Sequence, residues 1–286
     1  MFKDLDLDDG LVGAITDMGY KKPTSIQALV LPEAMDGKDL LASAPTGTGK
    51  TAAFILPAAQ HLLDFPRTKP GFPRVLILAP TRELALQIEQ QAKLMTQNTS
   101  IKTGVITGGV NYGSHEEILT KTTDMLIATP GRLLEYIENE QFDARDIELL
   151  ILDEADRMLD MGFADNINRI AAEARWRKQT MLFSATLEGS AVIRFAKEIL
   201  NEPVYLESNP SRKEKNKIHQ WLHLADDKNH KFELLRHCLS LEENQRTVVF
   251  VNKRETVQLI SGRLQADEKY CVWLEGTMPQ DKRNTA

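Results

Sequence analysis

Short apolar runs alternate with amphipathic stretches along most of the chain. Six such runs occupy residues 39–44, 74–80, 101–107, 124–130, 149–154 and 180–186. Each ends in a small, polar or Pro/Gly cluster, as is typical of strands buried on both faces. Helical patterns lie between them, and the pattern over 82–95 has one stripe made of Leu84, Ile88, Gln91 and Met95. Strand–helix alternation predicts an α/β fold with a central parallel sheet covered by helices on both faces.

The pattern changes after residue 200. Residues 201–217 are polar, charged and Pro-containing, which predicts a linker. The alternation then resumes with strands predicted at 218–225, 247–252 and 271–276 and helices predicted over 231–240 and 253–265. A unit of about 70 residues is marginal for an independent core. We therefore expect a first domain over 1–205, a linker over 206–217, and an incomplete second domain over 218–286 with an open sheet edge.

Composition indicates the class and location of the protein but not its function. The hydrophobic and charged fractions, 42% and 27%, are those of an ordinary globular protein. No apolar run approaches the ~20 residues that span a membrane, and residues 1–10 lack the basic and apolar regions of a signal peptide. The cysteines, Cys238 and Cys271, predict two reduced thiols in a cytoplasmic protein without a membrane partner. The net charge of −6 means that any nucleic-acid partner must be held by local patches.

Residues 44–51 nearly match the phosphate-binding loop G-x-x-x-x-G-K-[ST]. Ala44 stands at the first glycine position, where extended backbone after an apolar run suits alanine. Gly47 and Gly49 permit a tight wrap, Lys50 can reach the β- and γ-phosphates of ATP, and the Thr51 hydroxyl can bind Mg²⁺. Residues 51–63 predict a helix whose first N–H groups face the anion. The predicted nucleotide-binding loop comprises Ala44, Pro45, Thr46, Gly47, Thr48, Gly49, Lys50 and Thr51.

An acidic pair ends the predicted strand at 149–154, about 100 residues after the lysine. A carboxylate at a strand end, Asp153, can hold Mg²⁺, and the adjacent Glu154 can orient an attacking water. Alternatively, the two acids only occupy a helix N-terminus, where the helix dipole favours negative charge. The phosphate loop upstream favours the first interpretation, with Lys50, Asp153 and Glu154 catalytic and Thr51 and Asp153 as metal ligands.

Together the sequences APTGTGKT and DEAD resemble those of the DEAD-box helicases, whose nucleotide loop begins with alanine. The resemblance implies a RecA-like P-loop domain with a central parallel sheet, plus an incomplete second RecA-like domain, and it implies ATP and Mg²⁺ as cofactors. It further implies that residues 19–27 recognise adenine through Gln27, with Phe2 and Tyr20 nearby. A glutamine amide can pair with adenine N6 and N7 at once. The alternatives are an ordinary loop for 19–27 and a ragged terminus for Phe2.

Three further segments, at 80–84, 108–109 and 129–132, resemble the family's RNA contacts. Thr81 and Thr129 each come just before a predicted helix, where a threonine caps the helix and the N-terminus attracts phosphate. Each segment taken singly is also explained as a plain helix cap or turn. In this order after a phosphate loop they predict RNA-backbone binding with little sequence preference. The predicted RNA-binding residues are Pro80, Thr81, Arg82, Gly108, Gly109, Thr129, Pro130, Gly131 and Arg132.

The segment at 184–186 resembles the family motif that links hydrolysis to strand separation. The resemblance implies that Ser184 and Thr186, with Asp156, couple nucleotide state to RNA binding; a simple helix cap is the alternative. Residues 248–251 and 280–283 resemble the start of the family's second domain.

Residues 51–67, 174–189 and 217–221 resemble DEAD-box helicases of bacterial ribosome assembly. That likeness implies precursor RNA of the large ribosomal subunit as substrate, and ribosomal-precursor proteins as partners. The favoured hypothesis is an ATP-dependent RNA helicase that couples hydrolysis to duplex unwinding. The family's arginine fingers lie in an HRIGRTGR-like motif that these 286 residues lack, so we expect weak activity from this chain alone. The alternatives are a nucleotide- and RNA-binding fragment without useful catalysis, and a DNA translocase or other P-loop motor.

Overall fold

The computed structural model describes residues 2–109, 112–119, 123–185, 190–208, 219–241 and 246–285. Contacts divide the chain into two compact units, Met1–Lys215 and Asn216–Ala286. The division falls inside the segment predicted as a linker. Among the described residues no helix combines the length and the apolar character needed to cross a bilayer.

The first unit contains one seven-stranded sheet. Its strands are β1 (Leu40–Ser43), β2 (Val75–Leu78), β3 (Thr103–Ile106), β4 (Met125–Ala128), β5 (Leu149–Leu152), β6 (Gln179–Ser184) and β7 (Val204–Glu207). Neighbouring strands pair in parallel in the order β3-β4-β2-β5-β6-β1-β7. The six strands predicted from the apolar runs are therefore confirmed, and so is the α/β class with a central parallel sheet.

Helices cover both faces of this sheet. They are α1 (Asp9–Asp17), α2 (Ser25–Met35), α3 (Lys50–Asp64), α4 (Arg82–Thr96), α5 (Glu116–Leu119), α6 (Pro130–Glu138), α7 (Ala155–Asp160), α8 (Ala164–Glu173) and α9 (Ser190–Ile199). Alternate residues of one strand enter different cores: Ile77 packs with α1–α4, whereas Leu76 and Leu78 pack with α6–α9. This two-sided burial explains why the strands are continuously apolar. The buried side of α4 contains Ala85, Ile88, Ala92 and Met95. Of the predicted stripe, Ile88 and Met95 are buried, Leu84 is half-buried and packs against the same core, and Gln91 is half-buried.

The strand β7 corrects the interpretation of 201–217 as a linker. Val204 and Leu206 pack against the core, whereas Tyr205 and Glu207 point outward, so the segment is an edge strand buried on one face only. Its short polar–apolar alternation, flanked by Pro203 and acidic residues, resembles a loop in sequence. The predicted linker, placed at 206–217, is therefore wrong at its first two residues.

The second unit contains the helices α10 (Lys228–Leu241), α11 (Arg254–Ala266) and α12 (Gln280–Thr285). The helices predicted over 231–240 and 253–265 are confirmed. The strands predicted at 218–225, 247–252 and 271–276 are not formed in the described parts of those segments. A strand needs a hydrogen-bonded neighbour about 4.8 Å away, and here the apolar side chains are left exposed, with Trp221 at 84%, Phe250 at 92% and Leu274 at 53%.

Candidate nucleotide and nucleic-acid site

The strand order sorts the predicted motifs into two groups at the carboxyl edge of the sheet. The adjacent strands β5, β6 and β1 lead into the acidic pair, the segment at 184–186 and the phosphate loop. The adjacent strands β3, β4 and β2 lead into the segments at 108–109, 129–132 and 80–82. Because β2 and β5 are neighbours, the two groups lie side by side at the edge where open α/β sheets bind ligands.

The loop at 44–51, called the P-loop below, has the geometry that its sequence predicts. Ala44 is fully buried, and its N–H donates to the Ser184 carbonyl at 3.2 Å, so alanine continues the parallel pairing of β1 with β6. Gly47 (φ 81°) and Gly49 (φ 93°) have the left-handed backbone that other residues rarely adopt. The Thr48 hydroxyl closes the loop by donating to the Pro45 carbonyl at 2.7 Å. Because α3 begins at Lys50, its first N–H groups point into the loop.

Lys50 is the most informative single residue of this loop. Its side chain is buried, with 7% of the residue exposed, and its Nζ has no hydrogen-bond partner among the described residues. A buried ammonium without a partner is costly in free energy unless an anion compensates it. A phosphate group bound at the P-loop would supply that anion.

Asp153 faces that lysine from the end of β5. The residue is 4% exposed, its N–H donates to the Leu78 carbonyl at 3.0 Å, and its Oδ1 accepts from the Glu154 N–H at 3.0 Å. Burial raises the pKa of Asp153 to about 6, the charge of Lys50 opposes that rise, and the carboxylates of Glu154 and Asp156 add to it. A nearby divalent cation would restore the ionised form.

The residues at this position fit a Mg²⁺ ion that takes only some of its ligands from the protein. A threonine hydroxyl at Thr51 and the carboxylate of Asp153 are the oxygen donors that Mg²⁺ prefers, and the orphaned charge of Lys50 marks the adjacent phosphate position. Within the described part of the chain no three His, Cys, Asp or Glu side chains gather into a metal site. Mg²⁺ in nucleotide sites is usually bound through one or two protein groups together with substrate phosphates.

Glu154 has a backbone conformation unusual for its residue type. Its φ of 51° and ψ of 50° lie in the left-handed region, a cost that tends to be retained at functional sites. It precedes α7 but makes no side-chain cap there, and its Oε2 lies 3.1 Å from Arg157 Nη1. Simple capping therefore does not explain this acid.

The acidic motif also touches the end of β6. The Ala185 N–H donates to Asp156 Oδ2 at 3.3 Å, and the Ser43 hydroxyl donates to the Ala185 carbonyl at 3.5 Å. Ser184 is fully buried beside this contact, whereas Thr186 lies outside the described residues. The observed contact between the acidic motif and the segment at 184–186 is thus made by the backbone of Ala185.

The segment at 19–27 is attached to the P-loop. Gln27 is fully buried; its Oε1 accepts from the Thr24 N–H at 2.9 Å and its Nε2 donates to the Gly49 carbonyl at 3.0 Å. Phe2 is buried in a short 3-10 helix (Phe2–Asp4) and meets the Tyr20 ring edge-on, with centroids 6.2 Å apart. Phe2 is thus an ordered part of the core rather than a ragged end, and burial raises the pKa of Tyr20.

The three segments of the second group are joined to one another. Arg82 Nη1 donates to the Gly109 carbonyl at 3.3 Å, and the Gly108 N–H donates to Thr129 Oγ1 at 3.2 Å. Thr81 caps α4 by accepting from the Leu84 N–H at 3.3 Å. Thr129 makes no side-chain cap on α6, and its hydroxyl accepts from the glycine pair instead. Arg132 forms an ion pair with Glu135 at 2.9 Å, and Pro130 is the first residue of α6.

Comparison with known sequences decides the family. The family model described as DEAD/DEAH box helicase matches residues 24–195. The chain belongs to this helicase family. The match covers the P-loop, the acidic motif and all three segments of the second group.

Relatives of this DEAD-box chain carry helicase names. It is 54% identical over 285 residues to the ATP-dependent RNA helicase SrmB of Escherichia coli K12 and 51% identical to SrmB of Haemophilus influenzae. It spans 64% and 65% of the lengths of those two relatives and essentially all of its own length. It is 37% identical to the ATP-dependent RNA helicase RhlB of Pseudoalteromonas atlantica, of which it spans 67%.

Solved structures support the fold of this DEAD-box chain. A hypothetical ATP-dependent RNA helicase from Sulfolobus tokodaii aligns with a TM-score of 0.65 at 30% identity, covering 98% of this chain and 78% of the other. A DEAD box protein from Methanococcus jannaschii aligns with a TM-score of 0.67 at 26% identity, covering 99% of this chain and 75% of the other.

Sequence reasoning about this DEAD-box chain did not single out His115 or Tyr136. Both are buried beside the second group, and His115 Nδ1 lies 2.8 Å from the Tyr136 hydroxyl. A lone histidine and a helical tyrosine 21 positions apart form no recognisable sequence pattern. Only the fold brings them together.

Proposed function

We propose that this chain is the nucleotide-binding part of an ATP-dependent RNA helicase that couples ATP hydrolysis to duplex unwinding. The observation that carries the proposal is the buried Lys50 ammonium, which faces Asp153 without a hydrogen-bond partner among the described residues. In this proposal residues 1–205 form the RecA-like ATP-binding domain, and residues 218–286 form part of a second helicase domain.

Each residue of the nucleotide group has a physical role in this proposal. Lys50 neutralises charge on the β- and γ-phosphates, and Thr51 and Asp153 hold Mg²⁺, which when bound offsets the charge that develops on the transferred phosphate. Glu154, whose backbone is left-handed, orients the attacking water. Gln27, near Phe2 and Tyr20, selects adenine from a position attached to the P-loop. Asp156, Ser184 and Thr186 couple nucleotide state to RNA binding.

The second group receives the RNA backbone. Thr81 and Thr129 offer backbone and hydroxyl groups at the starts of α4 and α6, and the glycine pair offers backbone groups in the turn after β3. Arg82 and Arg132 add positive charge. The remaining predicted contacts, Pro80, Pro130 and Gly131, shape the strand ends there. The proposal also includes a substrate among precursors of large-subunit ribosomal RNA and partners among ribosomal-precursor proteins, which the resemblance of residues 51–67, 174–189 and 217–221 to ribosome-assembly helicases implies. It places the protein in the cytoplasm, as the two reduced thiols predict.

A second candidate is a nucleotide- and RNA-binding fragment without useful catalysis. The 286 residues contain no HRIGRTGR-like motif, and arginine fingers contribute about 10³–10⁵ in rate to phosphoryl transfer. Under this alternative both ligands bind to the chain while turnover stays at background.

The deciding experiment measures ATP hydrolysis by the 286-residue chain with and without duplex RNA, together with binding of a fluorescent ATP analogue. RNA-stimulated turnover that is lost in Lys50→Ala and Glu154→Gln, with binding retained in Glu154→Gln, supports the helicase. Lys93→Ala is the matched control, because Lys93 is exposed and pairs with Glu89 on α4. Turnover at the Lys50→Ala level with nucleotide bound favours the fragment, and failure to bind nucleotide rejects both.

A further inference from the structure

His115 lies between two of the segments assigned to RNA. It ends the 3-10 helix Tyr112–His115 and is buried. Its Nε2 lies 3.5 Å from the backbone nitrogen of Thr107, the residue before the glycine pair. Its Nδ1 lies 2.8 Å from the hydroxyl of Tyr136 in α6, the helix that follows Thr129, and the two rings meet edge-on with centroids 5.7 Å apart.

The partners of His115 determine its tautomer. A backbone N–H can only donate, so Nε2 must be the acceptor for Thr107. The proton of the neutral ring is then on Nδ1, which donates to the Tyr136 hydroxyl. Burial lowers the pKa of His115, and the charges of Arg132 and Arg82 lower it further, so the ring is neutral near pH 7.

The Thr107–Gly109 backbone is fixed by one contact at each of its three residues. The Thr107 N–H donates to His115, the Gly108 N–H donates to Thr129, and the Gly109 carbonyl accepts from Arg82. A buried histidine is commonly a satisfied core residue. Here, however, one ring nitrogen holds the residue before the glycine pair and the other holds α6, so His115 links two elements that carry predicted RNA segments.

We propose that His115 is a positioning residue for RNA binding, holding the Thr107–Gly109 backbone against α6 in the conformation that receives an RNA phosphate. His115 itself does not touch RNA. The inference rests on the proposed function, because it assumes that the glycine pair contacts the RNA backbone.

The test measures the affinity of the 286-residue chain for a fluorescent single-stranded RNA by anisotropy, and nucleotide affinity with a fluorescent ATP analogue. His115→Phe keeps a ring but removes both nitrogens, and we expect RNA affinity to fall about three- to ten-fold, mainly because the hydrogen bond that holds the Thr107 N–H is lost. His115→Gln restores an acceptor within reach of Thr107 and should recover most of that loss. Tyr136→Phe should show a smaller loss, and nucleotide affinity should stay unchanged in all three variants. His237→Phe, at an exposed histidine of α10, is the matched control.

Histidine ring nitrogen shifts in the wild-type chain give an independent measurement, and we expect the Nδ1-protonated tautomer at pH 7. The Nε2-protonated tautomer would overturn the inference, as would His115→Phe binding RNA like wild type. Equal loss in His115→Gln and His115→Phe, or a parallel loss of nucleotide affinity, would reduce His115 to a structural residue. If wild type binds nucleotide but not RNA, the RNA part of the proposed function fails and the inference fails with it. That outcome differs from one in which wild type and His115→Phe both bind RNA equally well, which contradicts the inference but not the proposed function.

Discussion

The side chain of Gln27 holds the backbone of Gly49 in place. Its Nε2 donates to the Gly49 carbonyl at 3.0 Å while its Oε1 accepts from the Thr24 N–H at 2.9 Å, so one amide connects the start of α2 to the start of α3. Gln27 is fully buried, and a Cβ on Gly49 would lie 2.5 Å from its Nε2. Position 49 therefore needs glycine for two reasons: its backbone is left-handed, and the Gln27 side chain approaches it closely.

Substituting the two P-loop glycines separates these reasons. Gly47 and Gly49 both have positive φ, but the space around the Gly47 Cα is open. Gly47→Ala should cost about 1–2 kcal/mol from backbone strain. Gly49→Ala should cost more and should also weaken nucleotide binding, because Gln27 can move away only by losing its bond to the Gly49 carbonyl. Thermal unfolding and titration with a fluorescent nucleotide measure both effects, and equal losses in the two variants would contradict the role of Gln27.

Gln27→Ala tests base selection directly. The change removes the Gly49 contact and should weaken binding of ATP more than binding of GTP, because only adenine presents the N6 and N7 pattern that a glutamine amide pairs with. Competition of ATP and GTP against a fluorescent nucleotide gives the ratio. Gln27→Glu is a useful comparison, since it keeps an acceptor for Thr24 but has no donor for Gly49. An unchanged ATP/GTP ratio would remove Gln27 from the adenine site.

The strands that could be predicted from sequence are those with two buried faces. Leu76, Ile77 and Leu78 alternate between the two cores, so their run is apolar without interruption. The edge strand at Val204–Glu207 buries one face over four residues, too short a pattern to distinguish from a linker. In the second unit, the run around Phe250 has a strand-like sequence, but pairing depends on neighbours that the run itself does not specify.

The candidate site likewise has residues that the sequence alone indicates and contacts that only the fold creates. Lys50 and Asp153 could be proposed from sequence as phosphate and metal ligands because that chemistry constrains residue type and local spacing. The bonds that join Gly108 to Thr129 and Arg82 to Gly109 depend on the neighbouring positions of β2, β4 and β3, which no local pattern specifies.

The arginines of the second group should determine the salt dependence of RNA binding. Each phosphate contact to single-stranded RNA contributes about 0.7 to the slope of log affinity against log salt concentration. Arg82→Ala and Arg132→Ala should each lower that slope by about this amount while weakening all RNA sequences similarly. Arg169→Ala is the control, because Arg169 is exposed and pairs with Glu138 away from the strand ends. A slope unchanged in both test variants would exclude these arginines from phosphate contact.

Asp153→Asn should stabilise the nucleotide-free protein while abolishing hydrolysis. The pKa of Asp153 is about 6 in the folded chain against a usual 3.8, so the folded state binds more protons between these values and stability falls as pH rises through them. An uncharged asparagine avoids this loss, and we expect a gain of up to about 3 kcal/mol at pH 7.5 that shrinks toward pH 5. Urea unfolding at both pH values measures it, with Asp160→Asn, at an exposed position of α7, as control. A gain independent of pH would show that the charge of Asp153 is not its source.

Glu148, at the amino edge of the sheet, should affect stability with the opposite pH dependence from Asp153. Burial would raise the pKa of Glu148, but hydrogen bonds from Arg74, His61 and Lys178 outweigh it and lower the pKa to about 2. The carboxylate therefore stabilises the fold fully above pH 4.5, and that stability is lost as pH falls toward 2. Glu148→Gln should cost about 1–3 kcal/mol at pH 7, because the buried Arg74 loses its charged partner.

The matched control for Glu148→Gln is Glu138→Gln, which removes an exposed ion pair with Arg169 and should cost less than about 0.5 kcal/mol. Denaturant unfolding from pH 7 to pH 3 should show the Glu148→Gln penalty shrinking, because below pH 4.5 the carboxylate of the unfolded wild-type chain takes up a proton while that of the folded chain, with its pKa of about 2, still does not. A penalty that persists undiminished at pH 3, or one no larger than that of Glu138→Gln at pH 7, would mean that packing rather than charge holds this edge of the sheet together.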